Sequence, residues 1–263
     1  MTGKSGESGA DMLRPERWLW RPLPRPHARL LLLCFPHAGG SPSAFHRWAE
    51  TLPAEVELLA VRLPGRQTRI GERPYDDWDE LLHCLGQVVS AVVDRPFALF
   101  GHSLGAMMAY ELTRRLTAGA SAAPHRLLLA GCRAPDVPLL LPAIHRLPDD
   151  AFTRNLSLVA STPPEVLADR RMMRFVRPLM RADLTLAETW PPVAPTRVQV
   201  PATAFAGRDD TVAPPWSTHR WSRFVGSFKI YVLAGDHFFV RSGDGAFLEL
   251  LAAELTAALT EVC

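Results

Sequence analysis

Six nearly continuous apolar runs constrain this chain more than any other feature. They lie at Arg29–Phe35, Val56–Val61, Phe97–Gly101, Arg126–Gly131, Val198–Gly207 and Phe228–Leu233. A strand that is apolar on both faces must be covered on both, as happens in a parallel sheet sandwiched between helices. Helix-length amphipathic stretches separate the runs, at Trp78–Val93, Ala106–Ala118, Trp216–Arg223 and Gly245–Leu259. This alternation predicts an α/β fold, a doubly wound and mostly parallel sheet with right-handed crossovers. The rhythm breaks between about 135 and 195, where the sequence is punctuated by proline and carries no strand-like run. A structureless loop of about sixty residues does not fit a compact domain, so a helical lid is expected there. Residues 1–17 are polar and rich in Gly and Ser and are expected to form a disordered tail. Residues 18–263 then form a single domain, entered through the extended RPLPRPHA stretch.

Composition excludes several classes. With 48% hydrophobic and 21% charged residues, the chain is neither wholly disordered nor collagen-like. A net charge of +2 provides no bulk field for nucleic acid. No apolar run approaches the roughly 20 residues needed to cross a bilayer, and the N-terminus has no apolar core of a secretory signal. A cytoplasmic location without nucleic-acid or membrane partners is expected. Cys34, Cys84, Cys132 and Cys263 are scattered without CxxC spacing, so they read as reduced thiols. There is no HExxH, GxGxxG or GxxxxGK motif, and the chain is expected to need neither metal nor cofactor.

Gly101-His102-Ser103-Leu104-Gly105 is a GxSxG motif placed directly after the strand run FALF and before the helix former AMMAYEL. At such a strand–turn–helix elbow the serine is lifted clear of the backbone and faces a helix N-terminus. A serine hydroxyl needs a base, and the base needs an orienting acid, each after a later strand. Asp209 and Asp210 follow one such run and His237 follows the next. Pro214, four residues beyond, favours Asp210 over Asp209. Ser103, Asp210 and His237 are therefore the predicted catalytic triad. Asp236 reads as a loop former, and His102, whose side chain points away from the hydroxyl, as a packing residue or one that supports the triad from behind. The oxyanion hole takes one backbone donor from Leu104. The other comes from the His37-Ala38-Gly39-Gly40 loop, with Ala38 preferred and Gly39 as alternative.

FPHAGG, PGR (Pro64–Arg66), FGHSLGA, LPDDAF (Leu147–Phe152), the RAD…ET run (Arg181–Thr189) and GDHFFV occur in this order. Together they resemble a type II thioesterase, the discrete α/β-hydrolase that accompanies polyketide and non-ribosomal peptide synthases. The resemblance spans about residues 18–258. It implies hydrolysis of stalled or aberrant acyl groups from the phosphopantetheine arm of an acyl carrier protein, with acyl-CoA as an alternative donor, and a helical lid over the acyl chamber. One departure is Asp236, where the family usually has glycine before the histidine; aspartate also tolerates unusual turn conformations. A chain-releasing thioesterase, a lipase-like carboxylesterase and a non-catalytic binding module are the competing readings. The intact triad set argues against the last.

Arg170, Arg174, Arg177 and Arg181 share one helical face, with Pro178 expected to interrupt it. They form either a solvated face over a packed one or a contact for an acidic carrier protein or a phosphate, with nearby Met and Phe lining the acyl chamber. Arg66 and Arg69 are expected in surface salt bridges, with a place near the entrance of the site as the alternative.

Overall fold

The computed structural model describes residues 13–119, 122–159, 162–191, 193–241 and 245–261. Seven strands form one sheet: β1 (Leu19–Trp20), β2 (Leu30–Phe35), β3 (Val56–Val61), β4 (Phe97–His102), β5 (Arg126–Ala130), β6 (Ala202–Gly207) and β7 (Phe228–Leu233). Their order is β1-β3-β2-β4-β5-β6-β7. All pairings are parallel except that of the short edge strand β1, which runs antiparallel to β3. The helices are α1 (Pro15–Trp18), α2 (Trp48–Thr51), α3 (Trp78–Val92), α4 (Leu104–Ala118), α5 (Asp149–Val159), α6 (Pro164–Ala168), α7 (Arg170–Thr189), α8 (Pro215–His219) and α9 (Ala246–Glu261). This is the architecture of α/β-hydrolases.

The continuous apolar runs are explained by the two faces they serve. Leu31, Leu33 and Phe35 of β2 join a core with Leu81 and Leu85 of α3 and Met108 and Leu112 of α4. Their neighbours Leu30, Leu32 and Cys34 point the other way, onto Trp48 of α2 and Phe247, Leu251 and Leu255 of α9. Each fully buried Leu or Phe contributes about 1.5–3 kcal/mol, so both faces hold the sheet.

The expected strandless excursion folds as α5, α6 and α7 between β5 and β6, with no strand among its described residues. It has its own small core of Ile144, Phe152, Leu156, Met173, Met180 and Leu184. The side chain of Asp169 caps α7 by accepting from the N–H groups of Arg171 and Met172. Contrary to expectation, Pro178 does not interrupt this helix, which continues from Arg170 to Thr189. Proline removes one intrahelical hydrogen bond, and packing on both sides, by Met173 before and Met180 and Leu184 after, outweighs that loss.

Three other boundaries differ from the sequence reading. Most of the expected tail, residues 1–12, lies outside the described residues, but Pro15–Trp18 is already helical and buries Trp18. Directly before the Pro-rich lead-in stands β1, too short at two residues to leave a periodic signal. The helix expected over Trp216–Arg223 divides into α8 and a 3-10 turn at Arg220–Arg223. Cys34, Cys84 and Cys132 are free thiols, and Cys263 lies outside the described residues. Among the described residues, no helix is long and apolar enough to cross a membrane.

Candidate active site

Ser103 stands between β4 and α4 with φ +55° and ψ −118°, a conformation that side-chain-bearing residues rarely adopt. The surroundings enforce it. The Ser103 N–H donates to the Ala130 carbonyl at 2.8 Å, and α4 begins immediately at Leu104. A Cβ on Gly105 would collide with the Phe35 carbonyl, so only glycine lets α4 press this closely against the end of β2.

The loops after β6 and β7 bring the predicted acid and base together. His237 Nδ1 donates to Asp210 Oδ2 at 2.8 Å, and both residues are buried. The other Asp210 oxygen accepts the N–H groups of Val212 and Ala213, each at 2.8 Å. Burial alone would raise the Asp210 carboxyl, but the His237 hydrogen bond and charge and these two N–H groups bring it below its ordinary value. Asp209 is exposed. Ser103 reaches the same rim: Gly131 follows the carbonyl that holds its backbone, and a Cβ there would stand 3.4 Å from His237 Cε1.

His102 does more than pack. Its Nε2 donates to the His237 carbonyl at 2.8 Å, tying the base-bearing loop to the elbow. A carbonyl can only accept, which fixes the His102 tautomer. Burial, then the neighbouring His237 and His37, holds its pKa well below the ordinary value. The His37 ring lies tilted beside it, with centroids 5.2 Å apart, and its pKa is lowered to about 3, by burial first and then by Arg241. The Asp236 side chain accepts the Phe238 N–H at 2.8 Å, as a loop former should. Gly235, at φ +113°, carries the left-handed turn, so Asp236 needs no unusual conformation.

Leu104, as first residue of α4, has an N–H with no partner inside the helix. Ala38 lies opposite, lining a chamber of about 70 Å³ with Ser103, Met107, Cys132 and Leu184. Burial raises the Cys132 thiol to about 12, so it is inert there. Gly39 is not available as the second donor, because its N–H is taken by Asp183 Oδ2 at 2.7 Å. On the far side of Ala38 a groove of about 470 Å³ runs between the 37–41 loop and α7, lined by Met172, Val176, Leu179 and Met180. The arrangement supplies a hydroxyl in a strained turn, an oriented imidazole and backbone donors, which is the equipment for acyl transfer.

A thioesterase-domain family model matches residues 31–255. The chain belongs to the thioesterase family. It is 35% identical over 227 residues to the thioesterase PikA5 of Streptomyces venezuelae, covering 85% of this chain and 80% of that one. It is 31% identical to the gramicidin S biosynthesis protein GrsT of Aneurinibacillus migulanus, over 88% of this chain and 91% of that one. Among solved structures, the type II thioesterase BorB from the borrelidin biosynthetic cluster superposes with a TM-score of 0.78 at 34% identity, covering 91% and 96% of the two chains. This thioesterase is thus a hydrolase of thioesters, and a type II thioesterase from a biosynthetic cluster is among the proteins it resembles.

Two expectations about arginines in the thioesterase need correction. Arg66 and Arg69 are buried rather than paired at the surface. Arg66 meets Asp183 at 2.8 Å, while Arg69 holds Glu72 and lies over the Trp18 ring. The sequence gives no sign of this pairing, because Asp183 lies 117 residues along the chain from Arg66. Of the α7 arginines, Arg177 and Arg181 bind Asp149, and Arg181 also reaches the carbonyls of His145 and Leu147. Arg170 and Arg174 are exposed, near exposed Met172 and Phe175.

Proposed function

We propose that this chain removes stalled or aberrant acyl groups from the phosphopantetheine arm of acyl or peptidyl carrier proteins in polyketide or non-ribosomal peptide synthesis. The observation that carries this reading is the His237–Asp210 hydrogen bond at the sheet rim beside the strained Ser103 turn. His237 takes the proton of Ser103 as its oxygen attacks the thioester carbonyl. The Ala38 and Leu104 N–H groups receive the oxyanion, and the pantetheine sulfur leaves as the thiol, taking the proton from His237. His237 then takes a proton from water, which attacks the acyl-enzyme, and the collapse returns free acid and the Ser103 hydroxyl. Asp210 holds the imidazole with its proton on Nδ1 throughout. A thiolate leaves easily, so this triad suffices without a metal or cofactor.

In this reading residues 18–263 are one cytoplasmic domain and the helical excursion within 135–195 is its lid. The groove beneath α7 takes the pantetheine arm, and the acyl group enters the chamber beside Ser103. Arg170 and Arg174, with Met172 and Phe175, offer the carrier protein a cationic face with apolar contacts. The test compares hydrolysis rates for an acyl-carrier thioester, the matching acyl-CoA and an oxygen ester, in wild type and Ser103→Ala. Fastest turnover of the carrier thioester, abolished in Ser103→Ala with the fold intact, is expected. Preference for the oxygen ester would favour a carboxylesterase, and full turnover by Ser103→Ala would remove the nucleophile.

A further inference from the structure

Asp183 on α7 is a carboxylate with 1% exposure that touches none of the triad residues in the contacts described above. One of its oxygens accepts the Gly39 N–H at 2.7 Å and the other accepts Arg66 Nη2 at 2.8 Å. The remaining terminal nitrogen of Arg66 donates to the Gly40 carbonyl at 2.9 Å. Both ends of the Gly39-Gly40 segment are therefore held, one through an N–H and the other through a carbonyl. Met180, on the same face of α7, has its sulfur packed where a Gly39 side chain would stand, and Gly39 itself has φ +72°. Ala38 packs against the small core of the excursion.

A buried ion pair is weak as a source of stability, since desolvation offsets most of its attraction. What this one supplies is direction. A Gly-Gly segment is the most freely rotating backbone available, whereas an oxyanion donor must be aimed to within a fraction of an ångström. We propose that Asp183 is the positioning residue of the oxyanion hole. By fixing the peptide between Ala38 and Gly39 it sets the preceding N–H, that of Ala38, toward the Ser103 chamber, and Arg66 aims the carboxylate. The oxyanion hole is then complete only while α7 is seated on the loop.

The inference rests on the thioesterase reading, and its test separates the two. Asp183→Ala and Asp183→Asn are assayed for kcat and KM on a small acyl-pantetheine thioester. Affinity is measured for a short-chain trifluoromethyl ketone, whose adduct with Ser103 places an oxyanion in the hole. Losing one donor costs roughly 10²–10³-fold in kcat, and a misaimed donor costs less. Asp183→Ala should therefore lower kcat by about 10²-fold and ketone affinity by a similar factor, with KM changed less than about threefold. An asparagine has one acceptor oxygen for two donors, so Asp183→Asn should fall about tenfold in both. It carries the test if the alanine variant does not fold. Either folded variant keeping both kcat and ketone affinity within twofold of wild type overturns the proposal. So does a loss of activity that appears in KM while ketone affinity is unchanged. A wild-type protein that neither turns over the thioester nor binds the ketone instead refutes the thioesterase reading.

Discussion

Replacing Asp210 by asparagine tests the site more sharply than deleting it, because the structure dictates how the amide must sit. One Asp210 oxygen receives two N–H groups, from Val212 and Ala213, and the other receives His237 Nδ1. Only the amide oxygen can accept from the two backbone donors, so the NH₂ is forced toward His237. The imidazole must then accept at Nδ1 and carry its proton on Nε2, the tautomer that cannot take a proton from serine. In the archetypal Ser-His-Asp triad this reversal costs about 10⁴-fold in kcat, or about 5 kcal/mol on the barrier. The expectation is a loss of about 10³–10⁴-fold in kcat, read by thiol release from an acyl-pantetheine thioester, with little change in KM. Asp209→Asn is the control, since Asp209 is exposed and its N–H bond to the Gly235 carbonyl survives the change. It should stay within about twofold, as ordinary surface substitutions do. If Asp210→Asn kept a tenth or more of the activity, or if Asp209→Asn fell further, the tautomer argument would be wrong.

Gly105→Ala would drive a Cβ into the Phe35 carbonyl, which no rotamer change can relieve. It should cost about 3 kcal/mol or more in urea unfolding, whereas an unchanged midpoint would show that the elbow tolerates separation of α4 from β2. Buried His102 and half-buried His37 make stability depend on pH. His37, at about 3, and His102, well below its ordinary value, stay neutral in the folded protein. The unfolded chain binds a proton at each below about 6.5, so stability falls as pH falls from there, and continues to fall until the folded-state values are reached. From pH 7 to 5 His37, held at about 3 in the fold, should cost about 2 kcal/mol. His37→Gln should therefore remove about that much of the loss, measured by urea unfolding at both pH values; an identical loss in this variant would contradict its neutral state in the fold.

How much of this molecule was legible beforehand depends on how far each signal reaches along the chain. Continuous apolar runs are local, and a parallel sheet follows from them because burial on both faces leaves no polar positions. β1 failed the same reading, since two residues, Leu19 and Trp20, cannot show a period. The meeting of Asp210 and His237 beside the Ser103 turn was legible because GxSxG and the two later loops each lie at the end of a strand run, and a doubly wound sheet gathers those ends at one rim. What could not be read was partnership across distance. Nothing around Arg66 indicates a carboxylate 117 residues away, and a charged residue in a Pro-Gly loop defaults to the surface. The same holds for Gly39: its sequence context leaves it as the alternative oxyanion donor to Ala38, and the Asp183 oxygen on its N–H removes it. The choice between adjacent peptide groups in a Gly-rich loop is thus made by a helix folded from another part of the chain. Specificity in this site consequently lies less in the motif loop, whose glycines permit many orientations, than in the residues of α7 that select one of them.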